Sequence, residues 1–136
     1  MGVNISGRFV GGLAMEMVHD LSKTVIMTDP PLDNGGEGKS FSPTDLLATA
    51  IGACMMSVMA IYARKEGLDL TGMAASCEKH MSTGLPRRVA RVDIVIKLPG
   101  ALTPEQRATL EGVGNNCPVI HSIHPSIVLN KVYVFS

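Results

Sequence analysis

A chain of 136 residues with 46% hydrophobic content is long enough to close one core, and the first expectation is a single α/β-type domain over residues 1–136. Twelve basic and twelve acidic residues give a net charge of zero, and only 4% of residues are aromatic, which argues against nucleic acid, anionic membranes and polyanions as partners. Three cysteines are an odd number and too few for a disulfide framework, so any bridge here is expected to be transient and chemical.

The first dozen residues carry neither a basic segment before an apolar one nor an Arg-rich amphipathic pattern, and a cytoplasmic location is expected. Residues 3–10 and 13–19 alternate as two short strands around Gly11-Gly12, a dipeptide suited to a tight hairpin, and Lys23 to Thr28 continues as a third. Neighbouring elements of this kind pack most simply as an antiparallel meander. Asp29 to Phe41 is rich in Pro, Gly, Asp and Asn and reads as a loop. Its Gly35 to Ser40 portion resembles a phosphate loop loosely, but Asp33 stands where the first glycine is needed and Pro43 separates it from the following helix, so nucleotide binding is not expected.

Ser42 to Gly67 is the longest apolar segment and reads as a helix. Ser42 is placed to cap the amide of Asp45, Pro43 occupies the first helical position, and Arg64, Lys65 and Gly67 mark the end. Residues 46–63 are uncharged and apolar on every side, which fits a buried core helix or a membrane span. Thr49, Gly52, Ser57 and several alanines dilute the apolarity, and no aromatic belt flanks it, so a buried central helix is expected and no membrane.

Beyond it, Leu70 to Ser82 alternates weakly, with Met73, Ala75, Cys77 and Met81 on one face. Residues 89–98 alternate cleanly, with Val92, Ile94, Ile96 and Leu98 inward and Arg91, Asp93 and Lys97 outward. Thr103 to Gln106 is a capping box that opens a second helix, and Ser126 to Phe135 closes the chain as a strand. Strands on both sides of a long apolar helix give an α+β class of antiparallel sheets around that helix. One small sheet cannot cover a helix apolar on all sides, so a second subunit is expected to supply the rest, as a homodimer.

Two cysteines stand out. Cys117 precedes Pro118 and is predicted to cap a short helical turn, where amides and dipole favour a thiolate. Cys54 lies among Ala53, Met55, Met56 and Val58, a desolvating setting that raises a thiol pKa, and from the residues alone it serves as well for an inert core thiol. Cys117, His121 and His124 have metal-ligand spacing, but His124 precedes Pro125 at a strand entry, and Cys77 and His80 differ in parity along their strand. No metal or cofactor is expected, and His19 and His80 have no spacing that suggests a role.

Ser42-Pro43-Thr44-Asp45-Leu46-Leu47 through Gly52-Ala53-Cys54, together with Cys117-Pro118-Val119, resembles the OsmC/Ohr family of thiol-dependent peroxidases, over nearly the whole chain. The resemblance implies an OsmC-like fold and an intertwined homodimer. It also implies that Cys54 attacks a small organic hydroperoxide, that Cys117 resolves the sulfenic acid as a disulfide, and that an external dithiol reductant resets the pair. Efficient peroxidases of the family have a Glu directly after the helix-starting proline and an Arg on the early hairpin turn. Here Thr44 and Gly11-Gly12 occupy those places, which implies a slower thiol or, as an alternative, a non-enzymatic protein that binds or senses small apolar ligands or oxidants.

Overall fold

The computed structural model describes all residues 1–136, which divide into two compact units, Met1–Leu46 and Leu47–Ser136. In the first, β1 (Ile5–Gly11), β2 (Ala14–His19) and β3 (Thr24–Thr28) form an antiparallel meander in chain order, as the alternating pattern predicts. The cross-strand register puts Ile5, Phe9, Met15, Met17 and Ile26 on one face and Arg8, Val10, Glu16, Val18, Val25 and Met27 on the other. Neither face is closed in the single chain: Phe9 is 62% and Val25 50% exposed.

The loop after β3 is organised by a buried carboxylate. Asp29 Oδ2 accepts the amides of Glu37 (3.1 Å) and Lys39 (3.2 Å), while the Gly36 and Gly38 amides go to the carbonyls of Pro31 and Pro30, so these amides of the glycine-rich stretch are taken up by the protein itself. Gly36 passes so close to Pro30 that a Cβ there would lie 1.7 Å from the Pro30 carbonyl oxygen, so no larger residue fits.

The long helix α1 (Pro43–Glu66) begins and ends as its sequence dictates. Ser42 Oγ accepts the Asp45 amide at 3.0 Å while Asp45 Oδ2 accepts the Ser42 amide at 2.9 Å, a reciprocal cap. At the other end Gly67 takes φ +68° and Leu68 donates its amide to Ala63 O at 2.8 Å, the geometry that a left-handed glycine permits. The buried residues of α1 are Ala48, Ile51, Gly52, Met55, Met59 and Ala63, a single stripe at helical spacing. On the opposite side Ala53, Ala60 and Ile61 are exposed. The sequence is apolar all round, yet one chain covers only one side.

The cover for that stripe is the second sheet, β4 (Ala74–Met81), β5 (Val89–Leu98) and β6 (Val128–Phe135), in the order β4-β5-β6. Val92, Ile94, Ile96 and Leu98 are at most 1% exposed, as their alternation predicts. Three of the four strand pairings in the chain are antiparallel, and β6 departs from the antiparallel expectation by running parallel to β5. The reason lies in the connection: α2 (Pro104–Gly114) and α3 (Pro118–Ser122) carry the chain back to the starting end of β5, and a crossover of that length permits parallel pairing. Thr103 and Gln106 form the predicted capping box of α2, Thr103 Oγ1 accepting the Gln106 amide at 3.1 Å and Gln106 Oε1 the Thr103 amide at 2.8 Å.

Candidate functional site

The second unit brings Cys54 and Cys117 together. Cys54 projects from the middle of α1, half-buried against the core, and Cys117 is a fully buried member of that core. Both are free thiols. The Cys54 sulfur is near enough to act on Cys117 by hydrogen bonding and by charge.

Cys117 sits where Pro118 predicts, at the N-cap of α3, and its sulfur accepts the Ile120 amide at 3.4 Å. The expected consequence, a thiolate favoured by amides and dipole, does not follow. Burial pushes the Cys117 thiol up and outweighs the amides of Ile120 and Val119, and the neighbouring Cys54 pushes it up further. A sulfur with no accessible surface is held chiefly as a thiol.

The backbone carrying Cys117 is fixed by residues that the sequence did not single out. Tyr133, on β6, donates its hydroxyl to Asn115 Oδ1 at 2.7 Å, and its Oη also reaches the Glu111 carbonyl at 3.4 Å. Its pKa is pushed up to about 12, first by burial and then by the charges of Glu111 and Cys117. Gly114 makes this closeness possible, since a Cβ there would lie 2.7 Å from Tyr133 Oη and 3.0 Å from Met59 Sδ. The signal was present in the glycine between Val113 and Asn115, but the partner it must avoid lies on a strand that only the fold brings near.

The other sequence candidates separate. His121 Nε2 pairs with Asn116 Oδ1, and His124 Nδ1 is taken up by the hydroxyl (2.7 Å) and amide (3.1 Å) of Ser126, so Cys117, His121 and His124 do not converge. Cys77 and His80 point to opposite faces, as their parity predicts. The Cys77 sulfur lies over Gly52 of α1, where a Cβ would be only 2.6 Å from it, while His80 stands on the outer face beside Glu78 and Asp93. Burial raises the Cys77 thiol as well.

In the first unit Arg8 and Glu16 face each other across β1 and β2, with Arg8 Nε donating to Glu16 Oε1 at 2.9 Å and Nη2 reaching Oε2 at 3.4 Å. The pair raises the Arg8 guanidinium and lowers the Glu16 carboxyl. A hairpin arginine is thus already matched by a carboxylate from its own hairpin, a pairing legible only once the strand register is known. Thr44 packs its hydroxyl 3.2 Å from Ser42 Oγ at the start of α1.

A family model described as OsmC-like protein matches residues 36–130. A structure from Psychrobacter arcticus 273-4, provisionally an osmotic stress induced and detoxification response protein, is 36% identical, covers 98% of this chain and 97% of its own, and superposes with a TM-score of 0.91. An organic hydroperoxide resistance protein OsmC from Legionella pneumophila is 18% identical, with coverages of 98% and 97% and a TM-score of 0.76. The organic hydroperoxide resistance protein OhrB of Bacillus subtilis is 14% identical, with coverages of 98% and 98% and a TM-score of 0.70; at these identities the likeness to the last two concerns the fold. No curated protein matches the sequence.

Proposed function

The chain belongs to the OsmC-like protein family, and from that premise we propose that it acts in peroxide stress as a thiol peroxidase using Cys54 and Cys117. The observation that carries this reading is the pairing of two free thiols of unequal access, Cys54 half-buried on α1 and Cys117 fully buried beside it. Peroxide reaches Cys54 first. The Cys54 thiolate attacks the distal oxygen of an organic hydroperoxide, the O–O bond breaks, and the alkoxide leaves and takes a proton as the alcohol. Cys54 is then a sulfenic acid. Cys117 attacks its sulfur, water departs, and a Cys54–Cys117 disulfide forms, which an external dithiol reduces by exchange.

Apolar neighbours, among them Met55, Met59 and Val58, favour a substrate with an apolar tail over hydrogen peroxide. The cycle needs no cofactor or metal. Turnover is expected to be slow, because Thr44 and Gly11-Gly12 stand where efficient peroxidases of the family carry the Glu and Arg that activate the attacking thiol, and burial raises the resolving Cys117 thiol as well.

We further propose that the working form is a cytoplasmic homodimer. Helix α1 is long and apolar enough to cross a membrane, and only 33% of its most apolar window is buried in one chain. The first sheet likewise exposes Ile5, Phe9 and Ile26. A second copy of the chain is the cover we assign to both surfaces, in preference to a bilayer.

A second reading, binding or sensing of an oxidant or apolar ligand without fast turnover, is favoured by the high-lying Cys117 thiol and by the engagement of Arg8 with Glu16. Steady-state consumption of cumene hydroperoxide and of hydrogen peroxide with excess dithiol separates the two. The peroxidase reading expects turnover that is faster with cumene hydroperoxide and absent in Cys54→Ser; stoichiometric oxidation without turnover sustains the sensing reading instead.

A further inference from the structure

The outer face of the second sheet carries a cluster that the thiol chemistry does not use. Glu78 and His80 are two residues apart on β4 and so share a face, and the register places Asp93 of β5 directly opposite Glu78. His80 Nε2 stands 2.6 Å from Glu78 Oε1 and 3.1 Å from Asp93 Oδ2. One imidazole nitrogen therefore faces two carboxylates from two strands, and all three donor atoms lie within 4.8 Å of one another.

We propose that Glu78, His80 and Asp93 form a binding site for a divalent cation of the zinc class. Zinc bonds nitrogen and oxygen at about 2.0–2.1 Å, and tetrahedral donors at that radius lie about 3.3 Å apart. The observed separations of 2.6 and 3.1 Å need only a small outward movement of each donor to seat an ion between them. Two carboxylates neutralise the ion's charge, and imidazole with carboxylate oxygen suits zinc or cobalt. Glu78 is 73% and His80 35% exposed in their side chains, so the ion has an entry path and water can complete its shell.

The support behind the ligands comes from residues outside the triad. Asn130 of β6 donates to Asp93 Oδ1 at 2.8 Å and Arg91 Nε donates to the same oxygen at 3.1 Å. Both hold Oδ1 away from the site and leave Oδ2 turned toward His80, which is how outer partners orient a metal carboxylate. The Arg91 charge is spent on the oxygen remote from the ion.

The test is titration of the reduced full chain with Zn2+ by calorimetry and with Co2+ by absorption. The expected result is one equivalent bound per chain, with a Co2+ spectrum of nitrogen and oxygen ligation that lacks thiolate-to-metal charge transfer in the near ultraviolet. His80→Ala, Glu78→Gln and Asp93→Asn should each abolish stoichiometric uptake, and Asn130→Ala should weaken it by about 10-fold or more. His121→Ala and His124→Ala should bind as the wild type does. Asp93→Asn guards against a folding artefact, because an asparagine carbonyl can still accept from Asn130 and Arg91; circular dichroism confirms the fold of each variant. Absence of uptake by the wild type, unchanged uptake by His80→Ala, or a thiolate charge-transfer band would each overturn the proposal.

Discussion

Replacing Gly114 by alanine isolates the contact that holds the backbone before Cys117. Gly114 is buried at the end of α2 and lies outside the left-handed region, so alanine suits its backbone and, by helix propensity alone, would gain about 1 kcal/mol. The added Cβ would lie 2.7 Å from Tyr133 Oη and 3.0 Å from Met59 Sδ. Met59 can adjust, but the tyrosine ring is stiff and its hydroxyl is engaged with Asn115 at 2.7 Å. Overpacking costs about 1–3 kcal/mol and a disturbed hydrogen bond about 0.5–1.5 kcal/mol, which less the propensity gain leaves a net destabilisation of about 0.5–3.5 kcal/mol. Urea unfolding at one fixed protein concentration reads this as a lower midpoint at unchanged slope, the concentration being fixed because a dimer's stability depends on it. In a Tyr133→Phe background the obstructing oxygen is gone, and the same substitution should cost at least about 1 kcal/mol less. A Gly114→Ala variant that is as stable as the wild type, or equal costs in the two backgrounds, would refute the steric argument.

Three further outcomes follow from the same structure. Because burial raises the Cys117 and Cys77 thiols in the folded state, the fold binds their protons more tightly than the unfolded chain; the stability this lends is complete below the unfolded thiol pKa of about 8.5 and is lost as pH rises through the folded values. Urea midpoints under reducing conditions should therefore fall as pH is raised above about 8.5, and Cys117→Ala should lessen the fall; a midpoint that rises over that range contradicts it. Thr103→Ala removes the cap of α2 and should cost about 1 kcal/mol in the same assay, whereas Thr103→Ser should cost little. Ile61→Glu puts a charge on the side of α1 that one chain leaves open, Ile61 being 57% exposed there, and light scattering should show a shift from two chains to one; a wild type that is already monomeric would remove the case for the homodimer.

Features written into local chemistry were legible before the fold was known. Ser42, Pro43 and Gly67 bound α1, Thr103 and Gln106 open α2, Pro118 starts α3, and the alternation from Val89 to Leu98 sorts inward from outward residues. What depends on distant partners was not. The parallel course of β6 is set by a crossover, and the pairing of Arg8 with Glu16 by a hairpin register. At the candidate site, position and energetics come apart. The N-cap place of Cys117 is dictated by the next residue, but its raised pKa reflects how completely the rest of the unit encloses it. His80 offered no motif because its companions come from two strands, Glu78 beside it and Asp93 across the ladder.

If Cys54 and Cys117 act as one redox pair, intact mass under denaturing, non-reducing conditions will record their bridge. Wild type, Cys54→Ser and Cys117→Ser are each measured before and after one equivalent of cumene hydroperoxide. The expected result is a loss of about two mass units in the wild type alone, reversible by dithiol, and a sulfenic acid trapped in Cys117→Ser but not in Cys54→Ser. A wild type that keeps its reduced mass, or a bridge that survives the loss of Cys54, would contradict it.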